Sequence, residues 1–141
     1  MPSQATAPER ITLAVEVRTE GRPTRDETAA RVEAAVLLGF QAIPGVVMNP
    51  PERAARHVLL IVGSGPSDSN SVSVVVTERY DRTTLKNLGI ADEGIAEQMM
   101  DRRMIIGHEL FSGRHLQELA TRIVTWVNGT IFDKARLPKQ P

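Results

Sequence analysis

His108, Glu109 and His115 stand close together in "GHELFSGRH". Imidazoles titrate near neutrality, and two of them with a carboxylate can hold a metal or pass a proton. The pairing of His108 with Glu109 starts an H-E-x-x-H zinc motif, but Ser112 occupies the place of the second histidine. Metal sites need three or four convergent ligands. The three side chains would therefore have to meet across a strand-to-helix corner to form the ligand or acid-base cluster of a small hydrolase or a metal- or ligand-binding enzyme.

Other segments resemble sites less on inspection. In "IVGSGPSDSNSVSVVV" the glycines suggest a phosphate loop, yet there is no lysine and no G-x-x-x-x-G-K-[ST] pattern. A valine-rich strand follows the glycines where a dinucleotide loop requires a helix, so the tract reads as the turn of a hairpin. Neither "GSGPS" nor "FSGRH" forms a G-x-S-x-G nucleophile elbow. Arg79, Arg82, Arg102 and Arg103 supply some positive charge, but no interleaved aromatic residues make a stacking platform for nucleic acid. The acceptor pattern Asn128-Gly129-Thr130 falls inside a predicted helix.

Composition narrows the function classes further. Seventeen basic and seventeen acidic side chains balance, so no global field attracts nucleic acid or an anionic membrane. The absence of cysteine rules out disulfides, a thiol nucleophile and cysteine-held metal clusters. No apolar run is long enough to span a bilayer. The N-terminal segment lacks the basic and apolar regions of a signal peptide, so the chain as written reads as cytoplasmic. A periplasmic protein whose signal had been removed would read the same. No cofactor is expected.

These residues are positioned by a regular series of elements. Ile11, Leu13, Val15 and Val17 alternate with Thr12, Ala14, Glu16 and Arg18, the period of a strand with one buried face. "TRDE" is a T-x-x-E capping box that predicts a helix from about Arg25, with Ala29, Val32, Val36 and Phe40 on its apolar line and Gly39 as its stop. A short strand at 46–48, an apolar strand at 58–62 and an alternating strand at 72–77 follow. Two short helical pieces break at Gly89, the second capped by Asp92. "RRMIIGHELF" predicts a strand interrupted by Gly107 and His108. From a cap at Ser112, the spacing of Leu116, Leu119, Ile123, Val127 and Ile131 predicts a long closing helix.

The elements give one α+β domain over residues 10–137, with flexible ends at 1–9 and 138–141. It is a two-layer sandwich: a mixed sheet of four or five strands in β-α-β-β-α-β-α order, with two main helices on one face. A mixed sheet leaves edges, and the strand carrying Val72, Val74 and Val76 has few charges to guard it. With Met99, Met100, Trp126 and Phe132 it is the expected contact surface.

The stretch "RVEAAVLLGFQAIPGVVMNPPERAARHVLLIVG" resembles a layout of bacterial envelope domains, including the N-terminal domain of TolB and small lipoprotein-assembly modules. There a helix leads into a "PGV" strand, then a turn and an apolar strand, and a long helix closes the domain. The resemblance implies an interaction module rather than an enzyme. The expectation is a soluble, non-enzymatic protein-interaction or assembly domain, a homodimer or a partner in a larger assembly, with no nucleic acid bound and no membrane insertion.

Overall fold

A computed structural model of the chain describes residues 10–22, 26–80, 82–100 and 102–133. Both expected flexible ends and Thr24 of the capping box lie outside these residues. The chain runs β1 (Ile11–Thr19), α1 (Glu27–Gln41), β2 (Val46–Met48), β3 (Arg56–Ser64), β4 (Asn70–Arg79), α2 (Arg82–Asn87), α3 (Glu93–Met100), β5 (Arg103–Gly113) and α4 (Leu116–Val127). The strands form one mixed sheet in the order β2-β1-β3-β4-β5. β1 is parallel to both β2 and β3, and β3-β4 and β4-β5 are antiparallel. The fold is the expected α+β sandwich, with α1 and α4 packed against each other and on the sheet.

Alternation decides which face each strand buries. Ile11, Leu13 and Val17 of β1, Val58, Leu60 and Val62 of β3, Val72, Val74 and Val76 of β4, and Phe111 of β5 all enter the core beneath the helices. From above, α1 supplies Val32, Val36 and Phe40, and α4 supplies Leu119, Ile123 and Val127. Phe40 and Phe132 meet with ring centroids 6.0 Å apart, tying α1 to the segment that follows α4. Each large side chain buried here contributes about 1.5–3 kcal/mol through removal from water.

Val72, Val74, Val76 and Phe132 are therefore core residues, each 0% exposed, and not the expected contact surface. β4 is not an edge strand. It lies between β3 and β5, and the sheet ends at β2 and β5.

Local signals differ from expectation in instructive ways. Asp26 caps α1, accepting a hydrogen bond from the Ala29 amide at 2.9 Å, so the helix starts at Glu27. Gly39 does not stop α1, which continues to Gln41. Its missing side chain lets α4 approach: a Cβ there would lie 2.8 Å from Val124 Cγ2. Asp92 caps α3 as expected, with Oδ1 accepting from the Ile95 amide at 3.1 Å, and Gly89 separates α2 from α3 with φ +85°. Ser112 belongs to β5, and His115 is the N-cap of α4 without a side-chain hydrogen bond. The closing helix changes at Val127 into a π-helical turn, Asn128–Phe132, which buries Ile131 and Phe132.

The tract at 63–70 is the turn of the β3-β4 hairpin. The Gly65 amide donates to Ser69 O at 2.8 Å and the Ser69 amide to Pro66 O at 3.1 Å. Ser67 and Asp68 take left-handed φ values of 55° and 61°; aspartate tolerates this region in turns.

Candidate interaction surface

α1 and α4 cover one face of the sheet. On the other face the side chains form rows fixed by the strand register: Ala14, His57, Thr77 and Ile105; Glu16, Leu59, Val75 and His108; Arg18, Ile61, Ser73 and Leu110. The face divides into two parts. Toward β1, and at the end of β4 and β5 that carries Arg79 and Arg103, it is charged and internally paired. Toward β5 it is apolar and open.

In the charged part, Arg18 Nη2 donates to Glu16 Oε1 at 2.6 Å, and His57 Nε2 lies 3.2 Å from Glu16 Oε2. The hydrogen bond from Arg18 holds the Glu16 carboxyl below its ordinary range, opposed by its partial burial. Burial pushes the His57 imidazole below its ordinary pKa, helped by the charge on Arg103 and opposed by Glu16. Arg79 donates to the carbonyls of Glu52 at 2.6 Å and Pro51 at 3.1 Å, and Arg103 donates to Pro51 O at 2.6 Å. Burial also lowers the pKa of Arg103. These two arginines fasten the segment that joins β2 to β3, and Arg82 pairs with Glu93 at 2.6 Å. Three of the four arginines considered for nucleic acid thus have structural partners.

In the apolar part, Leu59, Ile61 and Val75 are half-buried, whereas Ile105 and Leu110 are each 63% exposed. An open depression of about 290 Å³ runs along Ser73, Val75, Ile105, His108 and Leu110. β5 bounds this region and is an edge strand for its whole length. Two hydrogen bonds show which of its backbone groups face away from β4. The Leu110 amide donates to Glu109 Oε1 at 3.1 Å, and Ser112 O accepts from Arg122 Nη1 at 2.9 Å. By the alternation of antiparallel pairing, the amides and carbonyls of His108, Leu110 and Ser112 all point to the free edge.

The structure does not bring His108, Glu109 and His115 together. His108 and Glu109 are consecutive on an extended strand and face opposite sides of the sheet, opposite Val75 and Val74 respectively. His115 sits at the start of α4, beside a separate depression shared with Ser112, Arg114, Glu118 and Arg122. Among the described residues, no three His, Asp or Glu side chains are grouped to hold a metal.

Of the expected contact residues outside the core, Trp126 is half-buried and meets Phe111 edge-on at 5.9 Å. Met99 and Met100 are half-buried on α3, which contacts α2. Sequence reasoning missed Ile105, Leu110 and Arg122. The signal available was the alternation of Leu110 with Phe111. It was obscured by Gly107 and by an irregularity between Val76 and Thr77 that leaves Ile106 without a partner on β4 and reverses the inside-outside order of β5.

No family model and no curated protein matches this chain. The fold is similar to the crystal structure of protein XCC0632 from Xanthomonas campestris, assigned to the family model DUF330, with a TM-score of 0.51 over 92% of this chain and 89% of that one. At 9% identity, the likeness shows a shared α+β fold.

Proposed function

We propose that this chain is a small non-enzymatic protein-interaction domain that associates with itself through the β5 side of the sheet. The observation that carries this reading is the open apolar face ending at Ile105 and Leu110, two large aliphatic side chains, each 63% exposed on an edge strand. Soluble monomers rarely keep such groups contiguous in water unless they bind something. Exposed strand edges commonly pair with a second chain.

Sedimentation equilibrium over a range of concentrations tests the reading. The expected result is a mass that rises from one chain toward two, and a Leu110→Lys variant that stays monomeric with an unchanged urea midpoint. A wild-type chain that remains monomeric at the highest concentration overturns it.

A further inference from the structure

We infer that two copies of this chain pair antiparallel through β5 about a two-fold axis at Leu110, joining their sheets into one. This rests on the reading above and specifies the geometry of the association.

The register follows from the strand itself. Residues opposite each other in an antiparallel pair share a face, and the groups exchanging hydrogen bonds must point across the gap. The outward groups are those of His108, Leu110 and Ser112, as the hydrogen bonds to Glu109 and Arg122 show. After the unpaired Ile106, β5 is regular from Gly107 to Gly113, and Leu110 is the midpoint of that stretch. An axis at Leu110 uses all of it: Gly107, His108, Glu109 and Leu110 face the partner's Gly113, Ser112, Phe111 and Leu110. An axis at Glu109 would set two carboxylates directly opposite, which is destabilising. An axis at His108 would draw the irregular Ile106 into the ladder, and an axis at Phe111 would shorten it.

Charge complementarity supports the same register. Glu109 lies on the helix-covered face but remains exposed, and neither it nor Arg122 has an ion-pair partner among the described residues. The Arg122 guanidinium stands over the Phe111 ring, 5.7 Å from its centroid. In the paired strands Glu109 faces the partner's Phe111, and so meets the partner's Arg122, twice by symmetry. In the single chain these two side chains cap the Leu110 amide and the Ser112 carbonyl, protecting the edge. In the pair, backbone groups replace those caps and the two charges turn to each other. On the open face the two Leu110 side chains meet at the axis and cover apolar surface that each leaves exposed.

The test uses the full chain in sedimentation equilibrium. His108→Pro removes an outward amide that the β4 ladder does not use, and an edge position accepts proline; it should abolish the dimer while far-UV circular dichroism is unchanged. Glu109→Arg and Arg122→Glu, which need no backbone change, should each weaken dimerisation about tenfold through two lost ion pairs and two new like-charge contacts. Combining the two should restore the wild-type constant. A wild-type dimer that survives His108→Pro, or whose charge reversals do not rescue each other, overturns edge pairing but leaves self-association standing. A strictly monomeric wild type overturns both.

Discussion

The two faces of this sheet are built from the same strands and treated differently. Leu60 and Leu59 are neighbours on β3. Leu60 points beneath α1 and α4 and is fully buried, whereas Leu59 stands half-buried on the open face between Glu16 and Val75 in its row. The covered face is apolar across its centre, where two amphipathic helices seal it, and carries charge only at its margins, at Arg56, Glu78 and Glu109. The open face pairs its charges toward β1 and leaves its aliphatic groups uncovered toward β5. The difference separates what the fold needs from what it does not: removing apolar atoms from the first face costs stability, whereas those on the second are available for contact.

Substitution should show this division directly. Leu60→Ala leaves a cavity under the helices and should lower the unfolding free energy by about 2–5 kcal/mol. Leu59→Thr keeps a strand-forming residue at a half-exposed position and should cost less than about 1 kcal/mol. Urea denaturation of both measures the contrast; equal losses would mean that the open face is sealed within the single chain. Gly107 gives a test of intermediate size. It faces the helices opposite Val76, and a Cβ there would come within 2.8 Å of Ile131 Cδ1 and 3.3 Å of Trp126 Cη2. Gly107→Ala should therefore cost about 1–3 kcal/mol by overpacking. A neutral result would show that the π-helical turn carrying Ile131 gives way easily.

Where one physical signal dominated, the sequence was readable. The alternation in β1 identified its buried face, and the missing lysine and following valines identified the turn at 63–70. Readability failed where a residue type has two uses. Gly39 reads as a helix stop, but it permits close packing of α4 against α1. Gly107 and His108 weaken the strand signal of β5, so β4 looked like the edge and its valines like a surface. The proximity of His108, Glu109 and His115 along the chain said nothing of direction, because an extended strand turns consecutive side chains to opposite faces. Leu110 could be assigned to the open face only once the irregularity at Ile106 was known.

The smallest expected effect concerns the charged part of the open face and depends on pH. The His57 side chain is only 12% exposed; its burial and the nearby Arg103 disfavour the imidazolium, and Glu16 favours it. The net direction is downward from the ordinary value of 6.5. The unfolded chain then takes up a proton at His57 before the folded one does, so stability is full above 6.5 and falls as the pH drops below it. Glu16, also lowered, acts in the same direction but in a separate window, below its ordinary value of 4.5. Comparing urea midpoints at about pH 7.5 and about pH 5.5 isolates the histidine, since only an imidazole has its unperturbed pKa in that interval. The wild type should lose stability over this interval, and the loss should be smaller in His57→Gln, by the part that His57 contributes. His108 and His115 are present in both proteins, so the difference between the two slopes belongs to His57. If His57→Gln instead loses more than the wild type, the Glu16 carboxylate outweighs burial at this site, and the charged part of the face behaves as an exposed ion pair.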